Sequence, residues 1–246
     1  MGRLMTSARA KRWRIFRATG LAAALWGGTL SAGEKVVPIR LTHAVLVHGI
    51  WQSNSTCFGA LRRNLESRGV TCLVPSLKPT DGRDGLRPLA VQLKQAIDRG
   101  FGPGQRFVLV GFSMGGLVGR TYLQDLGGAA RCDGLFTIAT PHHGTRMAAL
   151  WLGKGAAEMR PGSEFLRHLA AGERRLGKMP LVSYRMPIGV VIVPSENALW
   201  APAENVEIRC PLHTLMTCSP RLMADMLARL DCPAKGDAWP AAVRGR

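Results

Sequence analysis

Gly111-Phe112-Ser113-Met114-Gly115-Gly116 is where this chain concentrates its chemistry. A serine with a glycine two residues to either side fits G-x-S-x-G, the pattern of a nucleophile carried on a strained strand-to-helix turn. Such a turn lifts Oγ above the sheet edge, and the glycines remove side chains that would collide across it. The flanking residues supply the required context. Residues 106–111, apolar from Phe107 onward, read as a strand, and residues 114–126 read as a helix. The helix would aim its N-terminus at the serine, where free N–H groups hold negative charge. The bland alternative is a glycine-rich packing turn with an idle serine.

A second loop lies earlier, in Val45-Leu46-Val47-His48-Gly49-Ile50-Trp51, at the end of another apolar run. Glycine after a strand frees backbone N–H groups to face a ligand. In a hydrolase built this way one oxyanion donor comes from such a loop and a second from the residue after the nucleophile. The two N–H groups here are those of Ile50 and Met114. His48 precedes the serine, and its expected role is to hydrogen-bond the loop in place.

The elements that must position these groups alternate in type. Strands are expected at 44–47, 70–74, 106–111, 134–139, 181–184 and 205–209. Helices are expected at 58–68, 89–99, 114–126 and 220–230, with a surface loop over 78–87. Continuous apolar strands separated by amphipathic helices predict an α/β fold, a mostly parallel sheet covered on both faces. No internal repeat or low-complexity tract interrupts the pattern.

The H-G-I and G-F-S-M-G-G motifs resemble those of the α/β-hydrolase superfamily, in particular its small bacterial lipases and esterases of the triacylglycerol-lipase-like kind. Thr140-Pro141-His142-His143-Gly144-Thr145 is similar to the T-P-x-x-G-T of that group, and Pro161-Gly162-Ser163-Glu164-Phe165-Leu166 resembles a segment of its lid-side helices. The likeness spans about residues 42 to 230. It implies an α/β-hydrolase fold with a minimal lid region, no cofactor and no metal, and an ester or lipid substrate. It also implies the order serine, acid, histidine along the chain. Of His43, His48, His142, His143, His168 and His213, only His213 follows the last expected strand, so His213 is the expected general base. The family usually has glycine before that histidine, where this chain has Leu212. His142 and His143 are expected in structural or substrate-lining roles.

The acid is where the resemblance breaks. The positions that align with the family's aspartate are Ile188 and Gly189, and the nearest carboxylates beyond them are Glu196, Glu204 and Glu207. Glu196 is the remaining candidate acid, by a looped route. Met147, Leu150, Trp151, Leu152, Phe165, Leu166 and Leu169 fall at helical spacing, which favours ordinary core over a lid. Trp51 and Trp151 are candidate apolar walls for an acyl chain.

The chain of 246 residues carries 33 Lys+Arg against 16 Asp+Glu, a net charge of +17. With 46% hydrophobic residues and a mean hydropathy near zero, disorder is excluded as the main state. The charge raises nucleic-acid binding as a rival, but no nucleic-acid module is present and the arginines are scattered. Residues 1–32 hold six basic and no acidic side chains. They then run through a short apolar stretch to small residues, the layout of a signal peptide. Residues 33–246 are then a single α/β-hydrolase domain with 27 basic and 16 acidic groups, a periplasmic or secreted protein at +11 that suits anionic membrane surfaces. Six cysteines, an even set, suit an oxidising compartment, with Cys57–Cys72 and Cys218–Cys232 as local pairings; buried free thiols are the alternative.

The leading expectation is an exported serine hydrolase of carboxylic esters, with Ser113 as nucleophile and His213 as base. The alternative is a degenerate hydrolase, short of its acid, that serves as a binding or interaction protein.

Overall fold

Alternating side chains on continuous apolar strands build two separate cores, one on each face of a parallel sheet. The computed structural model describes residues 39–52 and 57–231. The leader-like segment at 1–32 and Cys232 lie outside them.

In chain order the elements are β1 (Ile39–Arg40), β2 (His43–Val47), α1 (Gly59–Ser67), β3 (Thr71–Leu73), α2 (Leu86–Gly100), β4 (Phe107–Phe112) and α3 (Met114–Asp125). Then come β5 (Cys132–Ile138), α4 (Lys154–Glu158), α5 (Glu164–Ala171), β6 (Leu181–Arg185), β7 (Glu204–Glu207), α6 (Pro220–Arg229) and β8 (Leu230–Asp231). Every expected strand and helix is present, with ends shifted by a few residues. The six-stranded sheet has the order β3-β2-β4-β5-β6-β7 and is parallel throughout, while β1 pairs with β8 in a separate two-stranded ribbon. From β2 the chain steps outward to β3, returns past β2 to β4, and then proceeds outward in the other direction. That reversal lies between β2 and β4, and ligands of open parallel sheets bind at the carboxyl ends of the strands that flank such a switch.

Period-2 alternation assigns the faces. Ala44, Leu46, Val108, Val110 and Phe112 point into the core shared with Leu61 and Leu65 of α1 and Leu222 and Met226 of α6. Val45, Val47, Phe107 and Leu109 point into the other, against Leu89, Leu93 and Ile97 of α2 and Leu117 and Val118 of α3. Each such side chain contributes roughly 1.5–3 kcal/mol on burial. Leu166 and Leu169 join this second core, as their spacing implies, whereas Leu150 and Leu152 stay exposed. Among the described residues no helix is long and apolar enough to cross a membrane. The local disulfide pairings expected from the sequence are absent: Cys57 and Cys218 are free thiols, as are Cys132 and Cys210. Burial pushes the Cys57 and Cys132 thiols up to about 12, which leaves them unreactive.

Helix α3 is buried almost all round, and this forces one cation inside. Arg120 is 1% exposed. Its guanidinium donates to Glu173 at 3.0 Å, Gln124 Oε1 at 3.2 Å and His142 Nδ1 at 3.1 Å, and lies 4.5 Å from the Trp200 ring. Glu173 also accepts from Trp200 Nε1 at 2.6 Å. Burial lowers the guanidinium to about 10, with Glu173 opposing the shift. Arg120→Ala leaves Glu173 and His142 short of their donor and is expected to cost about 3 kcal/mol in urea unfolding. A loss below about 1 kcal/mol would show that water satisfies the partly exposed Glu173 instead.

Candidate active site

The two strands beside the switch deliver the two motifs to one place: His48-Gly49-Ile50 follows β2, and Ser113 follows β4. Ser113 has φ 53° and ψ −122° at the N-cap of α3. Left-handed backbone at a non-glycine residue costs on the order of 1–3 kcal/mol and persists only where the surroundings enforce it. Here the Ser113 N–H donates to the Ile138 carbonyl at 2.8 Å, tying the turn to β5. Gly115 packs against β2 so closely that a Cβ would lie 2.2 Å from the Val47 carbonyl oxygen, and one on Gly116 would lie 2.0 Å from Thr140 Oγ1. The glycines are therefore needed for close approach of α3 to its neighbours. Trp51 (φ 54°) and Ala139 (φ 46°) are the other non-glycine residues with left-handed φ among the described residues, and both follow strands at this same edge.

Ser113, His213, Ile50 and Thr145 line one cavity of about 330 Å³ with walls of Trp51, Phe112, Met147, Trp151 and Val190. The Ser113 hydroxyl makes no hydrogen bond to the described residues. The Met114 N–H opens α3, where the first amides have no acceptor within the helix, and the Ile50 N–H donates to no loop carbonyl. Among the described residues, neither the Ile50 nor the Met114 N–H is given an acceptor.

His213 opens the 3₁₀ turn His213–Cys218, with its ring 4.9 Å from that of Phe112. It shares the cavity with Ser113 without a hydrogen bond between them. Its Nε2 is buried and has no hydrogen-bond partner among the described residues. Burial, with no charged neighbour contributing, lowers its pKa to about 4. Glu196 is not brought to this ring. It is exposed in the turn Ser195–Ala198 and accepts from the Ser195 hydroxyl at 3.3 Å. Glu204 pairs with Arg229 at 2.6 Å, and Glu207 with Arg185 at 2.9 Å, so neither of these orients His213.

The other histidines of the motifs are structural. His48 is buried with both nitrogens engaged: Nδ1 donates to the Gly49 carbonyl at 2.8 Å, and Nε2 accepts from the Leu77 N–H at 3.0 Å. His142 stacks on Trp200 with centroids 4.5 Å apart, accepts from Arg120 at Nδ1, and donates from Nε2 to Thr137 Oγ1 at 3.0 Å. Burial and the Arg120 charge hold it neutral, well below its ordinary range. His143 is exposed. Two parts of the site escaped the sequence reading. Phe112 was seen only as the x before the serine, yet it carries the His213 ring. The run Val190-Val191-Ile192, to which the sequence reading assigns no role, forms a cavity wall; its apolar character is the available signal. Among the described residues no group of three or more His, Cys, Asp or Glu side chains is placed to hold a metal ion.

The sequence matches the model of the Alpha/beta hydrolase family over residues 44–244. The chain belongs to the alpha/beta hydrolase family. A search of curated protein sequences finds no match. Among solved structures, this alpha/beta hydrolase is similar in fold to the mature lipase BlEst2 of Bacillus licheniformis, at 16% identity and a TM-score of 0.59, over 81% of this chain and 96% of that one. It is also similar to lipase B of Aspergillus fumigatus, at 16% identity and a TM-score of 0.64, over 77% of this chain and 52% of that one. A third similar fold is polyneuridine aldehyde esterase, at 18% identity and a TM-score of 0.55, over 77% and 99%.

The buried imidazoles make stability pH-dependent. His213 and His142 are neutral when folded, whereas in the unfolded chain they take up protons below the ordinary value of 6.5. Their contribution is thus full above pH 6.5 and is lost as pH falls, for His213 down to its folded value of about 4. Urea midpoints measured at pH 7, 5.5 and 4.5 are expected to fall steadily, and to fall less steeply in His213→Gln.

Proposed function

We propose that this protein is a serine hydrolase that cleaves carboxylic esters of lipid or fatty-acyl type. The observation that carries the reading is the meeting of Ser113 and His213 in one apolar cavity, beside the unspent N–H groups of Ile50 and Met114. Ser113 Oγ attacks the ester carbonyl carbon as His213 takes its proton. The two amides stabilise the oxyanion, and collapse expels the alcohol, which receives the proton from His213. Water, deprotonated by His213, then attacks the acyl-enzyme and releases the acid. A base of low pKa stays competent into acid solution but drives proton removal weakly, so turnover is slow.

Apolar surroundings favour a lipid substrate. All the large exposed hydrophobic side chains among the described residues except Val91 lie on loops at the carboxyl edge of the sheet. These include Trp51, Leu152, which is 94% exposed, Ile188, at 85%, and Leu212. Trp51 and Trp151 meet in the cavity wall with ring centroids 5.4 Å apart and planes tilted by 54°. An exposed apolar rim of this kind suits contact with lipid, and the positive net charge favours anionic headgroups. The leader-like segment supports export to a compartment where such surfaces are present.

The rival reading, a hydrolase scaffold kept for binding, draws on the absence of a carboxylate at His213. A fluorophosphonate probe is expected to label the wild-type chain and not Ser113→Ala, and p-nitrophenyl esters are expected to turn over at least ~10³-fold faster with wild type than with Ser113→Ala. Equal rates and no labelling would leave only the binding reading. Sedimentation with phosphatidylglycerol vesicles is expected to exceed that with phosphatidylcholine and to weaken severalfold in Leu152→Asp. Binding that is indifferent to both changes would remove the lipid-surface part.

A further inference from the structure

The cavity beside Ser113 offers water very little. A water molecule inside a protein needs about 2–4 polar partners. Besides Ser113 and His213, the side chains with hydrogen-bonding atoms that line this space of about 330 Å³ are Gln52, Thr145, Trp151 and Thr214. The Thr145 hydroxyl is already engaged. It donates to the Val191 carbonyl at 2.8 Å and accepts from the N–H groups of Val193 at 3.0 Å and Met147 at 3.2 Å. Gln52 Oε1 and Trp151 Nε1 are buried within the wall, without partners among the described residues, so neither is presented to a molecule in the cavity. Thr214 is exposed. Hydrocarbon, thioether and aromatic ring make up the rest, with Phe112, Met147, Met159 and Ile192 among them.

This lining bears on the second half of the proposed reaction. Once Ser113 is acylated, the acyl group goes to whichever nucleophile reaches its carbonyl carbon beside His213. Water gains almost nothing from these walls. An alcohol on a hydrocarbon chain gains about 4-fold in binding for each methylene it buries. Linear primary alcohols carry the same reacting group, so the walls choose among them.

We propose that the protein also transfers acyl groups, the Ser113 cavity selecting a hydroxyl on a hydrocarbon chain over water as the acceptor. The inference rests on the reading of Ser113 as the acylated nucleophile and His213 as its base. The alcohol oxygen attacks the acyl carbon while His213 takes the hydroxyl proton. The bond from that carbon to Ser113 Oγ then breaks, His213 returns the proton to Oγ, and a new ester leaves. One ester bond is broken and one is made, with no further reactant.

The test uses p-nitrophenyl octanoate in aqueous buffer with ethanol, 1-butanol or 1-hexanol at equal concentration. Release of p-nitrophenol measures acylation, and gas chromatography separates alkyl octanoate from octanoic acid. With ~20 mM 1-hexanol against ~55 M water, wild type is expected to form at least as much hexyl octanoate as octanoic acid. The ester-to-acid ratio is expected to rise roughly 2–4-fold per added methylene. Met147→Gln and Val190→Thr put polar atoms in the wall. Each is expected to lower the hexanol ratio severalfold while octanoic acid forms faster, a split that a damaged fold does not produce. Release of p-nitrophenol with acid as the sole product, or one ratio for all three alcohols, overturns the proposal and leaves the esterase reading standing. No release beyond that of Ser113→Ala overturns the esterase reading and the transfer with it. If Met147→Gln does not fold, the alcohol series on wild type decides alone.

Discussion

The strained turn at Ser113 is the constraint from which the rest of the site follows. A serine with φ 53° is stable only because α3 is pressed against β2 through Gly115 and against the loop after β5 through Gly116, while its own N–H is tied to Ile138. That same clamp sets the direction of α3, which opens at Met114 and carries Arg120 into the core. The buried network of Arg120, Glu173, His142 and Trp200 therefore follows from where Ser113 stands. The left-handed φ values of Trp51, Ser113 and Ala139 gather at one edge of the sheet, so strain is stored where chemistry is proposed and is held there by both cores.

Burial acts on three histidines and has different outcomes according to partners. His48 and His142 each engage both ring nitrogens, so their desolvation is compensated and they stabilise loops. His213 is the exception, with a buried Nε2 that meets no partner. A buried polar atom without a partner costs on the order of 1–3 kcal/mol unless something else makes use of it. In the proposed reaction, a proton arriving from Ser113 is such a use. The missing carboxylate sharpens the point, because without it burial alone governs the ring and pulls its basicity down.

Charge and apolar surface serve separate roles in this protein. The excess of arginine is spread over the surface, and many of these side chains are paired, as at Arg62–Glu66, Arg106–Asp133 and Arg229–Glu204. Exposed surface pairs of this kind contribute little to stability. The large exposed apolar side chains other than Val91, by contrast, fall in the segments that follow β2, β5, β6 and β7, outside the strands and α-helices.

Sequence by itself determined the local features: strands 44–47 and 106–111 from the apolar runs at 44–47 and 107–111, the helix after Ser113, and the glycines of the turn. It could do so because alternation, helical spacing and turn chemistry are properties of neighbouring residues. Only the tertiary structure decided that Phe112 packs on the His213 ring, that Glu196 stays exposed away from it, and that Cys57 and Cys218 remain thiols. Each of these depends on which distant segments the parallel sheet brings together at the ends of β2, β4, β5 and β6. That proximity is set by long-range packing on both faces, which no local pattern along the chain encodes.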